Sequence, residues 1–227
     1  AEFRIFSFWT GNNEMSESRK LCLSQLKNNA GVPVVLITPN NLADFILPEH
    51  PLSKFYKYLS LVHKSDYLRS YFMYYYGGGY CDIKRINQPW TECFHMLNNA
   101  ANKSILGYTE ISSGVGFITP SKEYSIKNVY NLNYLLQKNY KKLIGNGAYI
   151  AKPRSIIFER LLDEQERRIY NHRKELEINP GNVMGNNKGY PLPWSYILGE
   201  IFHPLVYVRM NDILHNNTIK PSFTNYR

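Results

Sequence analysis

Four charged residues have types and spacings that suit the chemistry of an anionic ligand. Asp66 and Arg69 are three positions apart, Asp82 follows three consecutive glycines, and Lys84 comes two positions later. On a helix, residues i and i+3 share a face, so Asp66 and Arg69 can form an ion pair. An exposed pair of this kind contributes only about 0.3–0.5 kcal/mol. A purely structural surface pair is therefore the alternative interpretation.

The sequence after this helix favours ligand binding. The glycines at 77–79 allow the backbone to approach a ligand closely, and Asp82 is predicted at the carboxyl end of a strand, where open α/β sheets bind ligands. A nucleoside diphosphate sugar needs positive charge for its phosphates, carboxylates for its hydroxyls and an apolar slot for its base. The charged set with Arg85 suits the first two needs, and Phe8 and Trp9 suit the third.

The elements that must position these residues alternate between strands and helices, which predicts an α/β fold with a mixed, mostly parallel sheet flanked by helices. No linker separates two units, so one domain over residues 1–227 is expected. The predicted strands are 3–9, 32–37, 80–83, 105–108, 116–119 and 146–152. The predicted helices are 14–28 (capped by Asn12 or Asn13), 38–45, 65–76, 91–101, 122–138 and 154–176, and 179–194 is a predicted long loop or lid.

The composition is that of a globular protein, with 44% hydrophobic and 20% charged residues. The 19 tyrosines suit a planar, hydroxyl-rich ligand, or they reflect an A/T-rich genome. Cys22, Cys81 and Cys93 lack metal-ligand spacing, which predicts reduced thiols in a cytoplasmic protein. No apolar run is long enough to cross a bilayer, so no integral membrane segment is expected.

The net charge of +9 permits binding to nucleic acid, to an anionic membrane or to a phosphorylated ligand. The basic residues are scattered, however, and no tract of five like charges occurs. A solvated basic surface without a nucleic-acid partner is therefore predicted.

The pattern S-D-x-x-R, an aromatic helix and then Y-G-G-x-Y-x-D (residues 65–82) resembles glycosyltransferases of the A-type fold with an aspartate-x-aspartate motif. In particular, it is similar to small sugar transferases of bacterial capsular polysaccharide clusters and large DNA viruses. Those proteins are distantly similar to yeast mannosyltransferases and glucosylating clostridial toxins. The opening FSFWTGNNEMSESRKLCLSQL resembles the start of that family, and residues 145–149 resemble its G-x-G-A strand on the acceptor side.

The resemblance implies roles for individual residues. Asp66 and Arg69 would bind the donor sugar and its phosphate, and Asp82 would bind ribose or sugar and help to hold Mn²⁺ or Mg²⁺. The nucleoside would contact Trp9, Thr10 and Gly11, and the acceptor side would include Asn146, Gly147 and Trp194. Lys84 stands where the family usually has its second aspartate. Either Asp82 holds the ion with help from the C-terminal part, or Lys84 replaces some of its charge.

The segment 214–221 resembles an H-x-x-G-x-x-K-P element, although it is one residue shorter and lacks the glycine. This implies His215 as a metal ligand and Lys220 as a phosphate contact. Trp194 and His203 lie on an apolar segment and are predicted in the core, with Trp194 covering the nucleotide as the alternative. The carboxylates considered for a catalytic base are Glu110, Glu200 and Asp212.

Together these features predict a hexosyltransferase that moves a hexose or deoxyhexose from a UDP-sugar to a glycan or glycoprotein acceptor with help from a metal. Residues 1–90 would form the nucleotide-sugar-binding half, and residues 91–227 the acceptor-side half with a C-terminal closing segment. A non-catalytic module that binds a sugar or nucleotide sugar is the alternative. The stereochemistry of transfer and the oligomeric state are left open by the sequence.

Overall fold

The structure, a computed structural model, describes residues 1–120 and 126–226. In this part of the chain, six strands form one sheet: β1 (Ile5–Phe8), β2 (Val34–Ile37), β3 (Gly78–Cys81), β4 (Ile105–Thr109), β5 (Ile144–Ala151) and β6 (Ile213–His215). The described α-helices are α1 (Glu17–Asn29), α2 (Leu61–Tyr75), α3 (Thr91–Asn99), α4 (Ile126–Lys138), α5 (Ile156–Asn171), α6 (Arg173–Ile178) and α7 (Gly199–Val208). None of these helices combines the length and the apolar character needed to cross a membrane.

The strand order is β2-β1-β3-β5-β4-β6. Among the strands of the described residues, only β5 runs antiparallel to its neighbours β3 and β4, and the other pairs are parallel. The carboxyl ends of the five co-directional strands therefore meet at one edge, together with the amino end of β5. The prediction of an α/β fold with a mixed, mostly parallel sheet flanked by helices is confirmed.

Side chains alternate between the two faces of the sheet, and each face is covered by helices. On one face, Tyr80 and Tyr149 pack with Phe72 of α2 and with residues of α5 and α7. On the other face, Cys81 and its neighbours pack with α1 and α3. Residues that point to the first face after the end of β3 therefore lie next to α2.

The helix that carries Asp66 and Arg69 begins earlier than predicted, at Leu61, because Ser60 caps it. The Ser60 hydroxyl accepts a hydrogen bond of 3.2 Å from the His63 N–H. At the other end, Gly77 has a φ of +65°, which confirms a glycine C-cap with positive φ. Strand β3 begins at Gly78 and ends before Asp82, two residues earlier at each end than predicted.

The strand predicted at 116–119 does not form. The side-chain amide of Asn133 donates to the Ile118 carbonyl at 2.8 Å and accepts from the Ile118 N–H at 2.9 Å. This pairing satisfies the polar groups that a neighbouring strand would otherwise bind. Gly116 also packs so tightly against Gly199 that an added Cβ would lie 2.5 Å from the Gly199 carbonyl carbon.

Other differences concern the ends of elements. Helix α1 begins at Glu17, because Ser16 rather than Asn12 or Asn13 caps it. The helix predicted at 154–176 is divided at His172 into α5 and α6. The helix predicted at 38–45 is a short 3₁₀ turn, Leu42–Phe45. The predicted start of helix 122–138 lies outside the described residues, and α4 covers the remainder.

Candidate active site

The carboxyl edge of the sheet brings Asp66, Arg69 and Asp82 together. Arg69 Nη2 lies 3.0 Å from Asp66 Oδ1, one turn earlier on α2. The same nitrogen lies 3.8 Å from Asp82 Oδ1, which follows the last residue of β3. These two elements are adjacent, so residues from the middle of α2 and from the end of β3 form one charged cluster.

Burial and charge act differently on the two aspartates. The Asp66 side chain is only 7% exposed. Burial raises its pKa above the ordinary value, and the charge of Arg69 offsets part of this effect. Burial also acts to raise the pKa of Asp82, but Lys84 and Arg69 outweigh it and hold that pKa below its ordinary value. Asp82 is therefore an ionised acceptor at neutral pH, suited to ligand hydroxyls.

Tyr80, on β3, supports this carboxylate. Its hydroxyl donates a hydrogen bond to Asp82 Oδ1, and the Arg69 guanidinium lies 4.5 Å above its ring. Phe8 stacks on the Tyr80 ring, with 5.6 Å between ring centroids, and is 7% exposed. The structure thus places Phe8 in the core beneath the site rather than in an open base slot. Tyr80 was not singled out as a site residue from the sequence.

Strand β5 adds main-chain groups to the cluster. Arg69 Nη1 donates a hydrogen bond of 2.9 Å to the Asn146 carbonyl, and the Asp82 N–H donates one of 2.8 Å to the Gly147 carbonyl. A Cβ added at Gly147 would lie 3.3 Å from Asp82 Oδ2 and 3.2 Å from the Tyr108 hydroxyl. Asn146 and Gly147, both predicted for the acceptor side, therefore lie directly beside residues predicted for the donor.

Three buried polar atoms near this cluster have no hydrogen-bond partner in the described part of the chain: Arg69 Nε, Asn146 Oδ1 and the Tyr149 hydroxyl. The charges of Arg69 and Asp82 act on Tyr149, which pairs with Tyr80 across the two strands. A buried polar group without a partner costs about 1–3 kcal/mol. Such atoms are expected where a ligand or ordered water supplies the missing hydrogen bonds.

A cleft of about 460 Å³ opens at the carboxyl ends of β1 and β2, beside α2. Its size is within the range of small-molecule sites. Three of its lining residues, Leu61, Lys64 and Leu68, belong to the helix that carries Asp66 and Arg69. The remaining lining residues are Thr10, Gly11, Asn12, Asn13, Ile37, Thr38, Pro39, Leu42, Tyr56 and Val183.

The predicted nucleoside segment forms one wall of this cleft. The Thr10 hydroxyl donates a hydrogen bond of 2.7 Å to the Leu61 carbonyl, which ties the segment to α2. A Cβ added at Gly11 would lie 2.3 Å from Leu61 Cδ1, so a larger residue there would require the Leu61 side chain to shift. Trp9 Nε1 donates to the Asn13 carbonyl at 2.7 Å and stabilises the turn. Thr10 and Gly11 thus line the cleft, and Trp9 supports the turn that follows it.

The predicted loop 179–194 packs against the start of α2. The Leu61 and Val62 N–H groups donate to the carbonyls of Asn182 and Val183, and His63 Nδ1 lies 2.7 Å from the Tyr190 hydroxyl. These contacts place Val183 in the cleft wall.

The two residues of the apolar segment that were predicted in the core, Trp194 and His203, differ in burial. His203 is fully buried, which confirms that prediction. Trp194 is 58% exposed, so its prediction is wrong. The Trp194 carbonyl, rather than the indole, faces the protein, at 3.2 Å from His63 Nε2.

The structure does not bring His215 to Asp82. His215 lies on the edge strand β6, paired with Gly107, and β4 and β5 separate it from β3. Three strand spacings amount to roughly 14 Å, which is too far for both side chains to bind one ion. The imidazole Nδ1 instead lies 3.4 Å from Thr109 Oγ1. Lys220 is exposed after the 3₁₀ turn Asn217–Ile219, and its phosphate contact stays a prediction.

The donor set around Asp82 does not fit Mn²⁺ or Mg²⁺, which prefer several oxygen ligands. Lys84 Nζ lies 2.6 Å from Asp82 Oδ2 and fills the position that a cation would take. In residues 1–120 and 126–226, no three His, Cys, Asp or Glu side chains are grouped closely enough to hold a metal ion. The metal set predicted from Asp82 and His215 is therefore not assembled.

The candidate bases occupy different places. Glu110 follows β4 at the same edge as Asp82, with Oε2 3.5 Å from His203 Nε2. Glu200 is 4% exposed, and burial raises its pKa. Asp212 precedes β6 and therefore lies at the amino end of that strand, at the opposite end of the sheet from Asp82. There it pairs with Arg209 at 3.7 Å.

Two aromatic residues near the C-terminus cover Lys84, and these contacts were not predicted from the sequence. Lys84 Nζ lies 4.3 Å from the ring centre of Phe223 and 4.8 Å from that of Tyr226. The Ser222 N–H donates to the Arg85 carbonyl at 2.8 Å. The C-terminal segment 222–226 thus lies over the cationic side of the cluster.

A family model described as capsular polysaccharide synthesis protein matches residues 1–83. The matched part contains Asp66, Arg69, Asp82 and every residue that lines the cleft except Val183, and it ends before Lys84. No curated protein matches the chain. Among solved structures, one titled "PaToxG Glycosyltransferase" is similar over 92% of this chain and 69% of that chain, with a TM-score of 0.48 and 14% identity. The resemblance to capsular polysaccharide synthesis proteins, first inferred from the motifs, is thus confirmed for residues 1–83.

Proposed function

We propose that this protein is a glycosyltransferase that moves a hexose or deoxyhexose from a nucleoside diphosphate sugar, a UDP-sugar, to a hydroxyl of a glycan or glycoprotein acceptor. The observation that carries the proposal is the charged cluster of Asp66, Arg69 and Asp82, which lies at the carboxyl edge of the sheet among polar atoms without partners. The match of residues 1–83 to the capsular polysaccharide synthesis family supports it.

In this proposal, the nucleoside occupies the cleft walled by Thr10 and Gly11. The diphosphate extends toward Arg69 and Lys84, since these two cations lie beside Asp82 at the carboxyl end of β3. Lys220 is an additional phosphate contact. The sugar hydroxyls bind the carboxylate of Asp82, because its two oxygens offer about four acceptor sites and the hydrogen bonds from Tyr80 and Lys84 use two of them.

The acceptor would enter from the side of β5, beside Asn146 and Gly147. The exposed indole of Trp194 offers a flat apolar surface for a sugar ring. Glu110, at the same sheet edge, is the carboxylate best placed to receive the acceptor proton if transfer inverts the configuration.

The proposed reaction breaks the bond between the anomeric carbon and the β-phosphate oxygen, and the electron pair leaves with the nucleoside diphosphate. The acceptor oxygen forms the new bond to the anomeric carbon, and its proton ends in solution. Fixed positive charges next to the departing phosphate stabilise the charge that develops there. Arg69 has this role in the described cluster.

A non-catalytic module that binds a nucleotide sugar is the second candidate, and one observation favours it. Lys84 already neutralises Asp82 at 2.6 Å, so the carboxylate is paired before any ligand arrives. Binding without turnover would then be expected.

A cytoplasmic location also stays a prediction, based on the three buried thiols that form no disulfide.

The test is a panel of nucleotide sugars, first screened by thermal shift with and without Mn²⁺ and then assayed for release of the nucleoside diphosphate. A ligand that binds the folded state raises the melting temperature. Stabilisation by one donor class, followed by turnover that Asp82→Ala removes without loss of the fold, supports the transferase. Asp212→Ala, at the opposite sheet edge, is the matched control and should keep full turnover.

Two outcomes would contradict the proposal. Stabilisation without any turnover, with acceptor sugars present, would favour the binding module. Native turnover by the folded Asp82→Ala protein would remove Asp82 from the reaction and with it the proposed site.

A further inference from the structure

Lys84 is buried at the centre of the cluster rather than extended into solvent. Its side chain is only 8% exposed, and Nζ lies 2.6 Å from Asp82 Oδ2. A lysine seldom loses water in this way unless it is paired. We propose that Lys84, together with Arg69, supplies the positive charge that supports the departing diphosphate, so that this chain turns over its donor without a divalent metal. This inference rests on the proposed function.

The formal charges agree with the replacement of a second carboxylate and its bound metal by Lys84. An aspartate with a bound divalent cation carries a net charge of +1, and a single lysine also carries +1. Lys84 at the second position of the motif therefore gives the donor phosphates the same net charge as a carboxylate with its metal. A metal bound at Asp82 Oδ2 would have to displace an ammonium group at 2.6 Å and would then be repelled by it.

The backbone around Lys84 is fixed on both sides. Arg19 Nη1 donates a hydrogen bond of 2.7 Å to the Ile83 carbonyl, and the Arg85 carbonyl accepts one of 2.8 Å from Ser222. The Lys84 N–H also donates to the Asp82 carbonyl at 2.6 Å. These contacts hold the backbone, and the ion pair with Asp82 orients the ammonium before a ligand arrives. Preorganised charge stabilises a transition state most effectively.

The ammonium retains capacity for a phosphate. It has three N–H donors, and the described hydrogen bond to Asp82 uses one of them. The rings of Phe223 and Tyr226 lie 4.3 Å and 4.8 Å from Nζ. Phosphate oxygens bind an ammonium more strongly than ring faces do. The side chain of Phe223 is 47% exposed, so it can move aside when a diphosphate enters.

The primary experiment measures nucleoside diphosphate release by wild-type protein in EDTA and in Mn²⁺. The expected result is the same rate in both. Lys84→Met keeps the length of the side chain and removes its charge, and it should lower kcat at least about 100-fold in EDTA. Lys138→Met, at an exposed position on α4, is the matched control and should have no effect.

Lys84→Asp restores a second carboxylate and gives the sharpest contrast. This variant should bind Mn²⁺ in calorimetry, whereas the wild type should not. It should also release nucleoside diphosphate only when Mn²⁺ is present. Far-UV circular dichroism and the melting temperature establish that each variant is folded.

The possible outcomes separate this inference from the proposed function. Wild-type turnover that EDTA abolishes overturns the role of Lys84 but leaves the transferase in place. Undiminished turnover by folded Lys84→Met also overturns it. If no donor is turned over at all, the proposed function fails. UDP affinity in EDTA then decides, because a loss of affinity in Lys84→Met supports Lys84 as the diphosphate contact and an unchanged affinity refutes it.

Discussion

The guanidinium of Arg69 donates a hydrogen bond of 2.9 Å to the main-chain carbonyl of Asn146. This contact joins the helix predicted to bind the donor to the strand predicted on the acceptor side. Because the same guanidinium pairs with Asp66 at 3.0 Å, one side chain links the two parts of the candidate site.

Removal of Arg69 should destabilise the protein strongly. Arg69→Met would leave the Asp66 carboxylate buried without its partner, which costs about 3–5 kcal/mol in the free energy of unfolding. The double variant Asp66→Asn/Arg69→Met should lose less free energy of unfolding than the sum of the losses in the two single variants, because no buried carboxylate is left without a partner. Urea unfolding measures the free energy of unfolding of the three variants.

The exposed pair of Arg209 and Asp212 is the control for this cycle. Arg209 is 48% exposed and 3.7 Å from its partner, so Arg209→Met should change stability by less than about 1 kcal/mol. A loss as small as this for Arg69→Met would show that the buried pair does not hold the cluster together.

Asp82 should make the protein more sensitive to acid. Burial raises its pKa, but Lys84 and Arg69 outweigh this effect and keep the pKa below the ordinary value. The ionised side chain therefore contributes stability above about pH 4, and this contribution is lost as the pH falls through the folded-state pKa. Urea unfolding of Asp82→Asn should show a flatter decline in stability between about pH 4 and pH 2 than the wild type. A steeper decline would contradict the assigned direction.

Tyr149 offers a test for the polar atoms without partners. Its hydroxyl is buried and makes no hydrogen bond within the described residues, so Tyr149→Phe should retain or slightly raise the free energy of unfolding. If the hydroxyl binds the donor, the same variant should raise the Kd or KM for the nucleotide sugar about tenfold. Tyr80→Phe is the comparison, since its hydroxyl donates to Asp82 and its loss should lower stability. Unchanged donor binding by Tyr149→Phe would place the ligand elsewhere.

Gly147 should tolerate no side chain without displacement of Asp82. A Cβ at this position would lie 3.3 Å from Asp82 Oδ2, tighter than ordinary contact. Gly147→Ala should therefore lower kcat about ten- to hundredfold with little change in stability, because small displacements at reacting centres are costly. Gly199→Ala is the control, since its added Cβ would meet its nearest atom at 3.4 Å. Full activity of Gly147→Ala would show that the carboxylate has room to move.

The sequence was most informative where local patterns determine the structure. The helix before Asp82 and the glycine at its C-cap follow from short-range periodicity and backbone sterics, so the proximity of Asp66, Arg69 and Asp82 could be predicted. The contact between Lys84 and Phe223 depends instead on how distant segments pack, and no local pattern reports it. The separation of His215 from Asp82 likewise depends on strand order, because β6 pairs with β4 and is the outermost strand on that side of the sheet. The failed strand at 116–119 reflects a single side chain, Asn133, that replaces sheet hydrogen bonds.

The position of residues 222–226 over Lys84 has a practical consequence. Thr224 is exposed in this segment, and all three native cysteines are buried. A single engineered thiol at Thr224 would therefore accept an environment-sensitive dye selectively. Under the proposed function, its emission would report each arrival and departure of a nucleotide in real time, without a radioactive substrate or a coupled assay.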